Sequence, residues 1–277
     1  MIGKLFRKFN DFRGKQRLSR LLMSRKLKST HDILVEGKYN CNYLVPNIKE
    51  VIGFELYING IFEEEFIQLI LSKLKPNAVI IDLGANIGSI SIPICKLRND
   101  VSVIAVEASS IMYGYLKKNI ELNGIINCEI LHMAIWVNSE SEVPFYLPEE
   151  QYGKGMIDMN KSSGNFELVK TISLDDLYNQ YQCKKVDFLK VDIEGFEYFA
   201  FKGGAHLLKQ ADAPDILFEF IATAEKSAEP LEPGDAQAIL FAYGYKLYKI
   251  EHSQLIEIKK PLTDSYAMIF ATKKYHV

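Results

Sequence analysis

Two acid-bearing stretches hold the residues most able to do chemistry. In VIIDLGANIGSIS (79–91) an apolar run ends in Asp82, and Gly84, Asn86 and Gly88 follow before apolar residues resume. In VDFLKVDIEGFEYFAFKG (186–203) Lys190, Asp192, Glu194 and Glu197 close a second apolar run. A strand, a glycine turn and a helix place backbone N–H groups and the positive end of a helix dipole at the carboxyl edge of a sheet, where open α/β folds bind ligands. Glycines there let a ligand approach the main chain.

The first stretch discriminates between ligands. A carboxylate beside the loop repels a pyrophosphate and pairs with an ammonium group. The loop reads G-A-N-I-G rather than G-x-G-x-x-G, and no Lys-Ser/Thr pair follows it as in a P-loop. Glu107 closes the next apolar run about 20 residues beyond Gly88, where an acid accepts hydrogen bonds from ribose hydroxyls. An amine, a ribose and no phosphate describe S-adenosylmethionine. The structural alternatives are a turn or N-cap carboxylate for Asp82 and a solvated strand end for Glu107.

In the second stretch, strand alternation sends Lys190, Asp192 and Glu194 to one side, and Gly195 marks the turn into a helix. Charges at the end of an apolar strand need partners, which makes these residues candidates for catalysis or substrate binding. An ion pair closing the helix N-terminus is the other reading, and it is the one expected of Glu197.

The elements that must position these residues alternate. Apolar runs at 79–81, 101–106, 130–135, 186–191 and 216–220 read as strands, and 89–97, 110–123, 174–180 and 199–209 read as helices. This pattern specifies a parallel sheet covered on both faces. A helix at 235–242 and strand-like 245–250, 255–258 and 267–271 add a C-terminal antiparallel hairpin. Residues 31–76 read as a cap, with short strands at 33–36, 43–45 and 54–58 and a helix over 64–74. The expected organisation is a basic helical segment (1–30), the cap (31–76) and a catalytic domain (77–277).

At 277 residues, 48% hydrophobic and 25% charged, the chain fits one large or two small globular domains. No window supplies the ~18 consecutive apolar residues of a membrane-spanning helix. Cys41, Cys95, Cys128 and Cys183 are dispersed, as expected of reduced thiols in a cytoplasmic protein.

The net charge of −2 conceals a basic head, since residues 1–30 carry ten Lys and Arg against Asp11 alone. Its basic residues interrupt any apolar h-region, so it is no secretory signal. Leu5, Phe9 and Phe12, then Leu18, Leu21 and Leu22, fall at helical spacing. Such a segment can lie on the anionic inner face of a membrane, pack on its own domain or on a dimer mate, or grip an acidic substrate.

Taken together, Asp82-Leu-Gly-Ala-Asn-Ile-Gly88, Val106-Glu107, Asn119-Ile-Glu-Leu-Asn123, Ser173-Leu-Asp-Asp-Leu177 and Lys190-Val-Asp-Ile-Glu-Gly-Phe-Glu197 resemble the motifs of the FkbM family of S-adenosylmethionine-dependent methyltransferases. The resemblance spans about residues 54–270. Ala108-Ser109 departs from it, the family commonly having a proline after the acidic residue. It implies a Rossmann-like, seven-stranded class I methyltransferase sheet and O-methylation, often of a sugar hydroxyl in a glycan, a glycolipid or a polyketide-linked sugar, as in polysaccharide biosynthesis. By resemblance, Asp82, Gly84, Asn86 and Gly88 cradle the methionine end, Glu107 holds the ribose and residues around Ala134 line the adenine. Phe62-Glu63 resembles an element that closes over the cofactor.

Methyl transfer to oxygen needs alignment, exclusion of water and a carboxylate near the acceptor hydroxyl. Asp192, Glu194 and Glu219 are the candidates for base or hydroxyl orienter. The same acids are a hard-oxygen donor set suited to Mg²⁺ or Ca²⁺. His132 and His206 lack partners at useful spacing and read as structural. The long polar stretch 147–166 suits a mobile cover over a substrate site, with Tyr152, Lys154, Met156 and Lys161 as contacts beside Lys190; a surface loop is the alternative. The stretch 226–236 is a second loop expected at that edge. Two other functional classes share the fold: a NAD-type oxidoreductase, which Asp82 disfavours, and a non-catalytic cofactor-fold scaffold. Nucleic-acid methylation is disfavoured by the acidic catalytic half and by the lack of a base-binding N/D-P-P-Y element.

Overall fold

The computed structural model describes residues 17, 19, 20, 31–148, 155–158, 165–181 and 185–274. The expected alternation builds an eight-stranded sheet from β3 (Val79–Leu83), β4 (Ser102–Glu107), β5 (Cys128–His132), β10 (Phe188–Val191), β11 (Asp215–Ile221), β12 (Lys246–Glu251), β13 (Gln254–Ile258) and β14 (Tyr266–Thr272). The order is β13-β12-β14-β11-β10-β3-β4-β5. Strands β3, β4, β5, β10 and β11 run parallel, and β14 inserts antiparallel between β11 and β12. This is the expected seven-stranded Rossmann-like sheet, extended at one edge by β13, the hairpin partner of β12. The chain winds outward from β3 to β5 and then returns to β10 on the other side of β3. The reversal makes the carboxyl ends of β3 and β10 the switch point where doubly wound sheets bind ligands.

Alternation along each strand divides the core. Ile80, Val103, Phe188 and Leu217 pack on one face with α1 (Val51–Asn59), α2 (Glu64–Lys73), α3 (Ser91–Leu97) and α4 (Ser110–Leu122). Ile81, Ile104, Leu189 and Phe218 point the other way, to α5 (Leu174–Gln180), α6 (Glu197–Gly203), α7 (Ala205–Lys209) and α9 (Asp235–Ala242). Phe188, Leu189 and Phe218 are fully buried, each side chain worth about 1.5–3 kcal/mol.

The N-terminal region begins with an antiparallel hairpin of β1 (His31–Glu36) and β2 (Asn42–Asn47). Two asparagines one helical turn apart, Asn119 on α4 and Asn123 at its C-cap, pair with the hairpin's backbone. Asn119 Oδ1 accepts from Leu44 N–H (2.7 Å) and its Nδ2 donates to the carbonyls of Leu44 (3.2 Å) and Ile87 (3.0 Å). Asn123 Oδ1 accepts from Asn42 N–H (2.8 Å) and its Nδ2 donates to Asn42 O (2.6 Å). Asn119 is completely buried and every polar atom of its amide is used.

Several local expectations are corrected. Residues 54–58, read as a strand, lie inside α1: Gly53, Phe54, Leu56, Tyr57 and Ile58 are all buried, so no single-faced helical stripe is legible. Gly60, at φ 77°, ends the helix with its N–H on Leu56 O. The run 130–135 divides at Met133, whose N–H turns to Glu107 O (3.2 Å). Its second part, β6 (Ala134–Ile135), joins β7 (Glu142–Tyr146), β8 (Met156–Ile157) and β9 (Phe166–Ile172) in a separate sheet, order β6-β9-β7-β8. The helix expected over 199–209 breaks at Gly204 into α6 and α7. The stretch 226–236 continues from α8 (Ala222–Ser227) and buries Ala228 and Leu231; buried Glu225 accepts N–H groups of Gly234 and Ala236 (both 2.7 Å), so this stretch is a packed corner.

Most of the basic head lies outside the described residues. Of those described, Ser19 is buried, and Arg20 lies over the Phe54 ring (4.2 Å) and donates to Lys49 O (3.3 Å). Cys41, Cys95 and Cys128 are free thiols, and Cys183 is outside the described residues. No helix among the described residues is long and apolar enough to cross a membrane.

Candidate active site

At the carboxyl ends of β3, β4, β10 and β11 opens a cavity of about 1120 Å³. Gly84, Asn86 and Glu107 line it, as do Ala134 and Glu63. Lys190, Asp192, Glu194 and Glu219 line it too, so the strand-end residues of both stretches meet in one space. Asp82 and Gly88 stand behind its wall, and Tyr152, Lys154 and Lys161 lie outside the described residues.

The glycine loop is built by its own hydrogen bonds. Gly84 and Ala85 N–H donate to Val106 O (2.9 and 3.0 Å), Gly88 N–H to Ala85 O (2.9 Å) and Ile87 N–H to Asn86 Oδ1 (2.9 Å). Asn86 N–H donates to Glu107 Oε2 (2.8 Å). All five successive donors are therefore used internally, which leaves none for a phosphate and corrects the expectation of N–H groups aimed at a ligand. Both glycines are required by packing, and Gly84 also lines the cavity. At Gly84 (φ 77°) a β-carbon would lie 1.8 Å from Asp192 O, and at Gly88 (φ 86°) 2.8 Å from Ile92 Cδ1.

Asp82 is 2% exposed. Ser91 Oγ donates to its Oδ2 (2.5 Å), and its Oδ1 lies 3.6 Å from Lys190 Nζ and accepts no hydrogen bond. The ammonium that Asp82 meets is thus a lysine of the neighbouring strand, placed by the register Asp82 opposite Lys190. Lys190 Nζ also donates to Gly84 O (3.3 Å) and Asp192 Oδ2 (3.2 Å). Burial works against this cation, but Asp192, Asp82 and Glu63 outweigh it and hold it protonated. Lys190, expected as a substrate contact, is first the hub that joins β3 to β10.

Glu107 accepts Asn86 N–H on Oε2 and Ser109 N–H on Oε1, both at 2.8 Å. Burial raises its carboxyl to about 7 against the pull of those two N–H groups. Ser109 also caps α4, its side chain accepting from Met112 N–H, so the departure from the family's proline supplies a helix start. Below this acid, Ala108, Met133, Ala134 and Phe145 form an apolar wall.

Glu63, Glu194 and Glu219 face the cavity, and Glu197 stands behind Glu194. Glu63, at φ 49° before α2, is raised to about 8 by burial and by Asp192. Glu219 is pushed well above the carboxylate range by burial and by the neighbouring Asp192, Glu194 and Glu197. Glu194 takes φ 55°, a left-handed conformation imposed by the turn. Glu197 has the expected structural role: its Oε1 accepts N–H groups of Ile193 (3.0 Å) and Gly195 (3.3 Å), and burial raises it to about 8. Among the described residues no group of three or more His, Cys, Asp or Glu is placed to hold a metal ion, so the Mg²⁺ or Ca²⁺ set is not assembled there. His132 stacks on Tyr113 (5.2 Å) with Nε2 3.0 Å from Ala108 O, and His206 N–H meets Asp175 (2.9 Å); neither lines the cavity.

Sequence reasoning missed Arg20, Lys49, Lys249, Phe145 and Tyr266, all on the cavity wall. Tyr266 and Lys249 reach it because β14 and β12 flank β11 beyond the switch point, an arrangement with no local signal.

A profile of the methyltransferase FkbM domain matches residues 82–247. Among solved structures, the chain is similar to precorrin-6y C5,15-methyltransferase of Geobacter metallireducens (16% identity, 77% of this chain and 90% of that one, TM-score 0.43). It is also similar to a TehB-like S-adenosylmethionine-dependent methyltransferase of Corynebacterium glutamicum (16%, 80% and 94%, 0.45). A third similarity is to Aeropyrum pernix fibrillarin with natively bound S-adenosylmethionine (12%, 73% and 72%, 0.42). No curated protein matches the chain.

Proposed function

The chain belongs to the FkbM methyltransferase family, and we propose that it is an O-methyltransferase acting on a hydroxyl of a sugar in a glycan, a glycolipid or a sugar-bearing metabolite. The observation that carries this reading is that Asp192, Glu194 and Glu219 line the same cavity as Glu107.

The residues fit S-adenosylmethionine. The self-satisfied loop offers nothing to a pyrophosphate, and Glu107 retains a lone pair on each oxygen beyond the one used by backbone. Asp82 Oδ1 accepts no hydrogen bond and holds the Lys190 cation under the loop. Gly84, Ala85 and Asn86 would hold the methionine end, Glu107 the ribose, and Met133, Ala134 and Phe145 the adenine. When bound, the cofactor supplies a sulfonium methyl whose C–S bond breaks, leaving its electron pair on sulfur, as the acceptor oxygen forms the new C–O bond.

The remaining work falls to the chain. Lys190 fixes Asp192 at the cavity wall, and the carboxyls there orient the acceptor hydroxyl and accept its proton. Glu63 and Phe62 cover the site from the turn before α2, excluding water and so strengthening each polar contact inside. A cavity above the ~300–1,000 Å³ usual for one small ligand leaves room for an acceptor beside the cofactor.

Calorimetric titration with S-adenosylhomocysteine and with NAD tests the cofactor, and transfer of radiolabelled methyl to a panel of neutral oligosaccharides tests the acceptor. Micromolar binding of the homocysteine compound and alkali-stable label on sugar are expected. Binding of NAD instead, or label only on amines, would overturn the reading.

A further inference from the structure

We infer that Asp192 and Glu219 act as one unit sharing a single proton, in which Asp192 takes the proton of the acceptor hydroxyl and Glu219 is the positioning residue that holds Asp192. The inference rests on the proposed methyl transfer and assigns roles within that site.

The topology makes the pair. Strands β10 and β11 are parallel with Val191 opposite Phe218, so Asp192, the first residue past β10, stands beside Glu219, which is still within β11, about one strand spacing of ~4.8 Å apart. Both reach the cavity. Asp192 is tied down on its other side, its N–H on Leu83 O (3.0 Å) and its Oδ2 on Lys190 Nζ (3.2 Å). Glu219 forms no ion pair among the described residues.

Three neighbouring acids oppose charge on Glu219. Asp192 comes from the end of β10, Glu194 and Glu197 from the following turn and α6. Tyr266 lies on β14, whose Met268 is the residue opposite Glu219, and its hydroxyl is flanked by Glu219 and by Glu63, the residue before α2. Lys190 is placed on Asp192, so the negative charge of the pair belongs there and the proton belongs on Glu219. Burial and the neighbouring acids hold Glu219 in its protonated form.

A protonated Glu219 donates to one lone pair of Asp192 and leaves others for the acceptor. As the acceptor oxygen is methylated, its O–H bond breaks, the electron pair stays on that oxygen and the proton passes to Asp192. Water then removes a proton from the doubly protonated pair and restores it. An ordinary isolated aspartate could accept the proton too; the Glu219 hydrogen bond fixes which lone pair faces the hydroxyl.

The test is carbon-detected NMR of the ¹³C-labelled full chain saturated with S-adenosylhomocysteine. Glu219→Gln assigns the Glu219 carboxyl carbon, and Asp192→Asn removes its neighbour. In the wild type that carbon is expected at the protonated position at pH 7.5. In Asp192→Asn its titration midpoint is expected to fall by about one pH unit or more, as removal of an adjacent like charge dictates. A Glu219 already ionised at pH 7.5 in the wild type overturns the inference without reference to any destabilised variant, and so does a midpoint unmoved in Asp192→Asn. A wild-type chain that does not bind S-adenosylhomocysteine overturns instead the cofactor reading beneath it.

Discussion

Replacing Glu107 by glutamine should weaken cofactor binding and abolish its pH dependence. The side chain is 7% exposed and each carboxylate oxygen accepts one backbone N–H at 2.8 Å. Glutamine preserves the shape but turns one oxygen into an NH₂ that meets the N–H of Asn86 or Ser109 donor against donor. That clash is present in the free and the bound protein and costs stability; what binding loses is one charge-assisted bond from a ribose hydroxyl, at about 1–3 kcal/mol. At 1.4 kcal/mol per factor of ten, S-adenosylhomocysteine should bind roughly tenfold to a hundredfold more weakly. The wild-type carboxyl, raised by burial to about 7 in the free protein, must ionise to accept from the ribose. Binding therefore releases a proton and tightens as pH rises. At pH 6 about one-tenth of the sites are ionised, so affinity there should be about tenfold below that at pH 8. Calorimetry at the two pH values, in buffers of different ionisation enthalpy, reads both the affinity and the released proton. A glutamine variant within twofold of wild type, or a wild-type affinity equal at pH 6 and 8, would refute the assignment of Glu107 to the ribose.

Gly84→Ala should destabilise the fold by at least about 2 kcal/mol in urea denaturation, because its β-carbon would stand 1.8 Å from Asp192 O at a φ of 77°; a near-neutral result would mean that the two strand ends are not in contact. Glu197, with a folded value of about 8 above the ordinary 4.5, contributes stability that is full below pH 4.5 and lost as pH rises through about 8. Wild-type stability should accordingly fall by about 1 kcal/mol between pH 7 and 9 on its account, a loss that Glu197→Gln lacks, and parallel pH profiles would rule this out. Changing Lys4, Arg7, Lys8 and Arg13 to glutamine should weaken binding to phosphatidylserine vesicles by about 1 kcal/mol per residue while leaving S-adenosylhomocysteine affinity intact; unchanged vesicle sedimentation would remove the membrane role of the head.

The switch point was legible because its signals are local. An apolar run long enough for one buried strand, ended by an acid and a glycine turn, marks a strand's carboxyl end wherever it occurs, and order along the chain then places Glu107 and Asp192 near Asp82. What those residues touch was not legible. That Asp82 spends its charge on Lys190 depends on the β3/β10 register, and that Gly84 must lack a β-carbon depends on where Asp192 O passes. Helix α1 escaped because burial on every side erases the periodicity that identifies a helix. Strand β7 was missed in a short, proline-bearing EVPFY, and β8 spans just Met156–Ile157; their sheet exists only through the pairing of β7 with β8 on one side and β9 on the other. Tyr266 could not be placed without knowing that β14 runs antiparallel between β11 and β12.

The Asn119 and Asn123 amides that complete the edge of β2 lie 75 and 81 residues downstream of the backbone they serve. During synthesis, at ~5–20 residues per second, the hairpin therefore emerges several seconds before its partners exist. Through that interval Tyr43 and Val45, fully buried in the finished molecule, have no sheet to pack on. The hairpin is made early but cannot be finished until residue 123 follows it, so until then the ribosome-bound nascent chain presents a bare strand edge, and a translation pause upstream of residue 123 would prolong that exposure.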